Sequence, residues 1–191
     1  MMKQFWYGLV LFLFLALPPV RHLLESIMAF HMHMQMPLLF VSGLLMAPFF
    51  MKHFRQFFGK WNGSGLPGII LFLIIVMYWM VPKAMDESLE IMAVEAFKFI
   101  SLPFLAGVPL RDSWSKIGKA TESILLLVLA ILFSIMAYLY IFFESTLCNN
   151  YLLVDQKTVG WGFAFFSLCL ILYLVLTLFT DQSQYYDEAS T

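Results

Sequence analysis

The chain has 191 residues, 62% of them hydrophobic and 12% charged, with a formal net charge of −1. Globular domains carry about 45–50% apolar and about 25% charged residues, and a soluble fold of this length has too little interior to hide the difference. A soluble enzyme, a nucleic-acid-binding protein and a disordered regulator are therefore disfavoured. A single integral-membrane domain over 1–180 is expected, followed by an acidic tail over 181–191.

Crossing a bilayer as a helix takes about 20 mostly apolar residues. The first such run is 5–20. Its Met-Met-Lys start also fits a signal peptide, but Leu-Ala-Leu-Pro-Pro follows in place of a small-residue cleavage site, so an uncleaved span is expected. The second run, 26–51, lies between Glu25 and Lys52 and contains Pro37 and Pro48, which predict a kink or an early end. The third, 68–82, is short, and the polar stretch 59–68 before it reads as a flexible loop. The fourth, 91–110, is the least hydrophobic, with Glu95 and Lys98 inside it. The fifth and sixth are 123–143 and 160–179. Lipid forces backbone groups to be satisfied internally, so these are helices or one closed barrel. The apolar runs are continuous rather than alternating, which favours helices. The expectation is an all-α polytopic membrane protein, a bundle of six transmembrane helices.

Six spans place both termini on one side. Lys3, Lys52, Arg55, Lys60, Arg111, Lys116 and Lys119 fall there, against Arg21, Lys83 and Lys157 opposite. This bias predicts cytoplasmic termini in a bacterial inner or plasma membrane. Glu25, Asp86, Glu87, Glu90, Glu95, Glu144 and Asp155 lie on or near the other side. That outer side is net negative, which fits either ordinary topology bias or a mouth that attracts cations.

The segment His31-Met32-His33-Met34-Gln35-Met36-Pro37 is the most unusual in the chain. At 100° per residue, Met28, His31, Met32, Gln35 and Met36 share a helical face about 140° wide, with His33 nearly opposite. Thioethers and imidazoles suit soft Cu(I), so this face is a candidate copper site. The competing reading is that methionine is an adaptable filler of apolar cores. In the fourth span Met92 and Glu95 are three apart and share a face, although Glu95 and Lys98 could instead form a local ion pair. Tyr78 and Trp79 read as an interfacial aromatic belt. Counted along the spans, His31, Met80, Met92 and Glu95 lie at comparable depth towards the outer side.

These motifs, in order, resemble the CtaG-type membrane proteins linked to copper insertion into cytochrome c oxidase. His31-Met32-His33-Met34-Gln35-Met36 resembles that family's His-Met-x-Gln-His-Met segment, with Gln35 in place of the second histidine. Tyr78-Trp79-Met80-Val81-Pro82, followed by Asp86, resembles a Trp-His-x-Pro segment and its downstream aspartate, with Met80 in place of the histidine. Ile91-Met92-Ala93-Val94-Glu95-Ala96, running on to Gly107, resembles a Leu-His-x-x-Glu-His segment. Met92 and Ala96 replace its histidines and Glu95 is kept. Asp155-Gln156 with Gly160 resembles an Asp-Gln-x-x-x-Gly turn before the last span. The likeness covers about 26–179, and family members usually have one further span. It implies copper, as Cu(I), held by His31, Met32, Gln35, Met36, Met80, Met92 and Glu95, and a haem-copper oxidase as partner. Loss of most family histidines fits two outcomes: a thioether-rich Cu(I) site, or a scaffold that no longer handles metal.

Cys148 and Cys169 differ in depth and are expected to be free thiols. No nucleotide-binding or hydrolase pattern occurs, so no enzymatic activity is expected. Two functions stand side by side: a membrane copper-binding protein that assists assembly of a haem-copper cytochrome c oxidase, and a non-catalytic accessory subunit of a larger respiratory or copper-enzyme complex. A haem protein, using His31 or His33 as an axial ligand, is a more distant third.

Overall fold

The computed structural model describes residues 2–143 and 145–179; the acidic tail and Glu144 lie outside the described residues. The chain is an all-α polytopic membrane protein, and nine helices make up its described regular structure. They are α1 (Met2–Ala16), α2 (Pro18–Glu25), α3 (Met28–His53), α4 (Arg55–Trp61), α5 (Leu66–Met80), α6 (Pro82–Glu90), α7 (Met92–Trp114), α8 (Lys119–Phe142) and α9 (Leu153–Phe179). Four of them (α3, α7, α8 and α9) are long and apolar enough to cross a membrane. The α1–α2 and α4–α5 pairs raise the count to six if each bent pair is one span.

The two bends fall at the end of the first expected span and just before the third. The first span breaks at Leu17, which is extended (φ −62°, ψ 129°) because Pro18 follows it. Beyond the break α2 turns by 71°. The 59–68 stretch is not a flexible loop. It holds the end of α4, then a corner at which α5 turns by 88°. Gly65 makes the corner with φ +78°, a left-handed conformation that suits glycine. Asn62 locks it, donating to Asp112 Oδ2 (2.7 Å) and Ser113 Oγ (2.9 Å) while its Oδ1 accepts from Gly68 N (2.9 Å).

Two wide turns interrupt the long helices, at His31–Gln35 in α3 and Ser101–Gly107 in α7. In each the hydrogen bond reaches five residues back, from Met36 N to His31 O and from Val108 N to Pro103 O. Prolines stand beside both: Pro37 after the first, Pro103 and Pro109 in and after the second. A proline nitrogen cannot donate, which favours local rearrangement of the ladder. The predicted distortion of the second span therefore falls ahead of Pro37, and the helix continues through Pro48. The last span begins earlier than expected, so Asp155 and Gln156 lie in its first turns rather than in a preceding loop.

α3 packs on α1 along one side and on α7 along another, α5 packs on α7, and α8 and α9 pair as an antiparallel hairpin against the start of α3. The α3–α7 crossing is a backbone contact. A Cβ on Gly43 would collide with the backbone of Pro103, and one on Gly107 would lie 2.6 Å from Phe40 O. Small residues permit this approach in membranes, where close packing replaces the hydrophobic drive. Gly43→Val is therefore expected to cost about 3 kcal/mol or more, read as unfolding in detergent. Gly59→Ala, in a helix with open space around it, should be neutral or stabilising by up to about 1 kcal/mol. Equal losses for the two would contradict the crossing.

Candidate functional site

Lys98 is the centre of the buried polar groups. It is carried on α7, seven residues into the span, its side chain has no exposed surface, and a lone buried charge inside a span is unfavourable. Its ammonium has three protons to donate, and three acceptors surround it: Glu25 Oε1 at 2.6 Å, His31 Nε2 at 3.2 Å and Gln35 Oε1 at 3.2 Å. Gln35 turns its amide nitrogen back to Glu25 Oε1 (3.2 Å), so it serves as acceptor and donor at once.

The hydrogen bonds also fix the tautomer of His31. The Tyr151 hydroxyl donates to Glu25 O (2.8 Å), so at His31 Nδ1 (3.0 Å) it acts as acceptor. Nδ1 then carries the proton, and Nε2 presents a lone pair to Lys98. A second ion pair adjoins this one. Arg21 Nη1 lies 2.6 Å from Glu95 Oε1, and Arg21 Nε lies 4.0 Å from Glu25 Oε2. Two cations and two anions therefore alternate, Lys98, Glu25, Arg21 and Glu95, and the set is neutral.

The bend at Leu17 makes this possible by carrying Arg21 and Glu25 of α2 over the start of α7. Glu95 and Lys98, though three apart on one helix, do not pair with each other. Each takes its partner from α2, which corrects the local pairing considered from sequence.

The seven residues assigned to one metal cluster separate into three places. His31, Gln35 and Glu95 belong to the charged network. Met32, Met36 and Met80 line an apolar cavity of about 290 Å³ with His33, Trp79 and Phe163. Met92, at the first residue of α7, is 84% exposed and covered by no neighbouring helix. The first separation follows from helical spacing: His31 and Gln35 lie about 40° apart and face Lys98, while Met32 and Met36 point about 100° further round, into the cavity. His33 also comes into use: the expected opposite orientation places it on α9, where its Nε2–H donates to Val159 O (3.1 Å) and its ring packs on Phe163 and Phe166. Trp79 is likewise not part of a surface belt. It is 3% exposed and donates to Ser101 Oγ (2.9 Å) in the second wide turn.

Two further motif residues hold the 145–152 segment. Asp86 accepts from Asn149 N (2.7 Å), and Gln156 Oε1 accepts from Leu147 N (2.7 Å). Cys148 and Cys169 are both free, and Cys148 is buried in that segment, where desolvation and then the Asp86 charge push its thiol up to about 12.

A copper ion does not fit at His31. The lone pairs it would need, on His31 Nε2, Gln35 Oε1 and Glu25 Oε1, are taken by a resident ammonium. Among the described residues no group of three or more histidine, cysteine, aspartate or glutamate side chains is placed to hold a metal ion. The donors around the 290 Å³ cavity are soft thioethers with one imidazole, a set that does suit Cu(I).

Sequence reasoning missed Lys98 as the hub, with Glu25, Arg21 and Tyr151 as its surroundings. A charged residue inside a span was the available signal; nothing in the sequence pointed to Tyr151. No protein-family model, curated protein or solved structure matches the chain.

Removing one partner of a buried pair strands the other. Lys98→Met is therefore expected to cost about 3–5 kcal/mol, and Glu25→Gln combined with it should recover a large part of that loss. Unfolding of the four proteins of this cycle in detergent measures the coupling; strictly additive losses would show that Lys98 and Glu25 do not interact.

Proposed function

We infer that this chain is a non-catalytic accessory component of a larger membrane complex, with a lysine ammonium in the position that a metal ion would need. The observation that carries this reading is the Lys98 cage: every proton of the ammonium meets an acceptor, and the acceptors are the side chains most suited to metal at His31. A site built this way offers no free ligand to a metal ion. It joins α2, α3, α7 and the segment before α9, and so serves to hold the helices in register. The likeness of the motifs to the copper-insertion proteins of cytochrome c oxidase supports a haem-copper oxidase or related copper enzyme as the complex. The basic residues near Lys52 and Arg111 support cytoplasmic termini in a bacterial plasma membrane.

One observation favours copper handling as a second reading. Met32, Met36, Met80 and His33 line a single cavity, and these donors would hold Cu(I) while discriminating against harder ions. Cargo copper would then be held through thioether sulfur, away from the charged network.

The two readings differ in one preparation. The chain is purified from native membranes, its subunit partners are quantified, and it is loaded with Cu(I) under reducing conditions and washed. The accessory reading expects fixed-ratio co-purification with other membrane subunits and copper no higher than in a Met32→Leu/Met80→Leu variant. Near-stoichiometric Cu(I) that this variant loses would overturn it in favour of copper handling. The leucines keep volume and apolarity, at a cost under about 1.5 kcal/mol each.

A further inference from the structure

At the end of the bundle away from Lys98, three elements meet: the end of α3, all of α4 and the end of α7. Between them lies a cavity of about 800 Å³. Four bases line it, Lys52, Arg55, Arg111 and Lys116, against one acid, Asp112. The acid is already neutralised. Lys116 Nζ lies 2.6 Å from Asp112 Oδ2, which also accepts from Asn62. Lys52, Arg55 and Arg111 have no ion-pair or hydrogen-bond partner among the described residues. Three unpaired cations therefore converge on one hollow, held by an α4–α5 corner that Asn62 makes rigid.

A second hollow adjoins the first. It measures about 380 Å³ and is lined by Phe50, Phe54, Phe57, Phe58, Phe104 and Val108, with no polar side chain. Phe58 lines both hollows. A basic pocket beside an apolar groove, at the ends of two membrane-crossing helices, has the amphiphilic character of a phospholipid. A free anion would use only the first half.

We propose that this end of the protein binds an anionic glycerophospholipid, with its phosphate held by Lys52, Arg55 and Arg111 and an acyl chain lying in the phenylalanine groove. Ordinary topology bias accounts for basic residues on one side of a membrane. It does not account for their convergence without counter-ions, nor for the groove beside them. The lipid would cover the seam between α3, α4 and α7 and fix the protein's depth in the bilayer. This assignment is independent of what the Lys98 network does.

The full chain is reconstituted in nanodiscs of phosphatidylcholine mixed with phosphatidylglycerol, and the lipids it retains are identified by native mass spectrometry. The wild type is expected to retain phosphatidylglycerol selectively. Each basic contact near an anionic lipid contributes about fivefold in affinity, so Arg55→Gln/Arg111→Gln should reduce retention by about 25-fold. Arg55→Lys/Arg111→Lys, which keeps the charge, should retain most of the lipid and so separate lost charge from lost fold. Lys83→Gln/Lys157→Gln removes the same charge from residues that do not line the pocket and should leave retention unchanged. No preference in the wild type, or equal loss in the Lys83/Lys157 variant, would overturn the proposal. Complete displacement of the lipid by inorganic phosphate would assign the pocket to the free anion and overturn it too.

Discussion

The structure depends on an ammonium ion inside a membrane. Lys98 stands in a span where a lone charge is unfavourable by several kilocalories per mole, and it remains there because three acceptors from two other helices meet its three protons. Much else follows from keeping that set complete. Glu25 must reach α7, so α2 must bend away from α1. Gln35 follows His31 by one turn of α3, so both side chains face Lys98. Tyr151 must approach His31, so the segment before α9 folds against α2. Buried ionic groups are often no better for stability than apolar packing, but they are intolerant of wrong partners. In a bundle whose other contacts are mostly alkyl and aromatic, this network is a strong specifier of helix register.

The opposite end of the bundle is organised on another basis. There Asn62, Asp112, Ser113 and Lys116 tie the α4–α5 corner to α7, and the cations left over line the hollow beside it. The two ends are joined by α3 and α7, whose backbones touch at Gly43 and Gly107. One end holds a neutral set of paired charges; the other is basic and lies beside an apolar groove. This asymmetry separates a region suited to holding the fold from a region suited to binding.

Much of the architecture was legible in the sequence, because apolar runs bounded by charge report membrane crossing directly. The breaks were only half legible. Pro18 after Leu17 signals an extended residue, yet nothing in 5–20 says that the chain turns by 71° there. Gly65 signals a turn, but the fixing of that corner comes from Asp112, fifty residues after Asn62. The candidate site was legible as a set of unusual residues and not as an arrangement. A helical wheel groups His31, Met32, Gln35 and Met36 within one broad face; only the neighbouring helices show that one edge meets Lys98 and the other the methionine cavity. Glu95 and Lys98 looked like natural partners at their spacing, and only the position of α2 shows that each pairs elsewhere. Trp79 followed the usual pattern of an interfacial residue but is buried, because Ser101 offers it an acceptor inside the bundle.

The protonation pattern at His31 tests the central claim most directly. If Lys98 donates to His31 Nε2, that nitrogen is unprotonated and Nδ1 carries the hydrogen shared with Tyr151. Solid-state 15N NMR of the protein in lipid, labelled at histidine and lysine, resolves both nitrogens and their through-space contacts. The expected result is a neutral Nδ1–H imidazole whose Nε2 correlates with the Lys98 ammonium. A protonated Nε2, or no contact between it and Lys98, would contradict the caged-ammonium site.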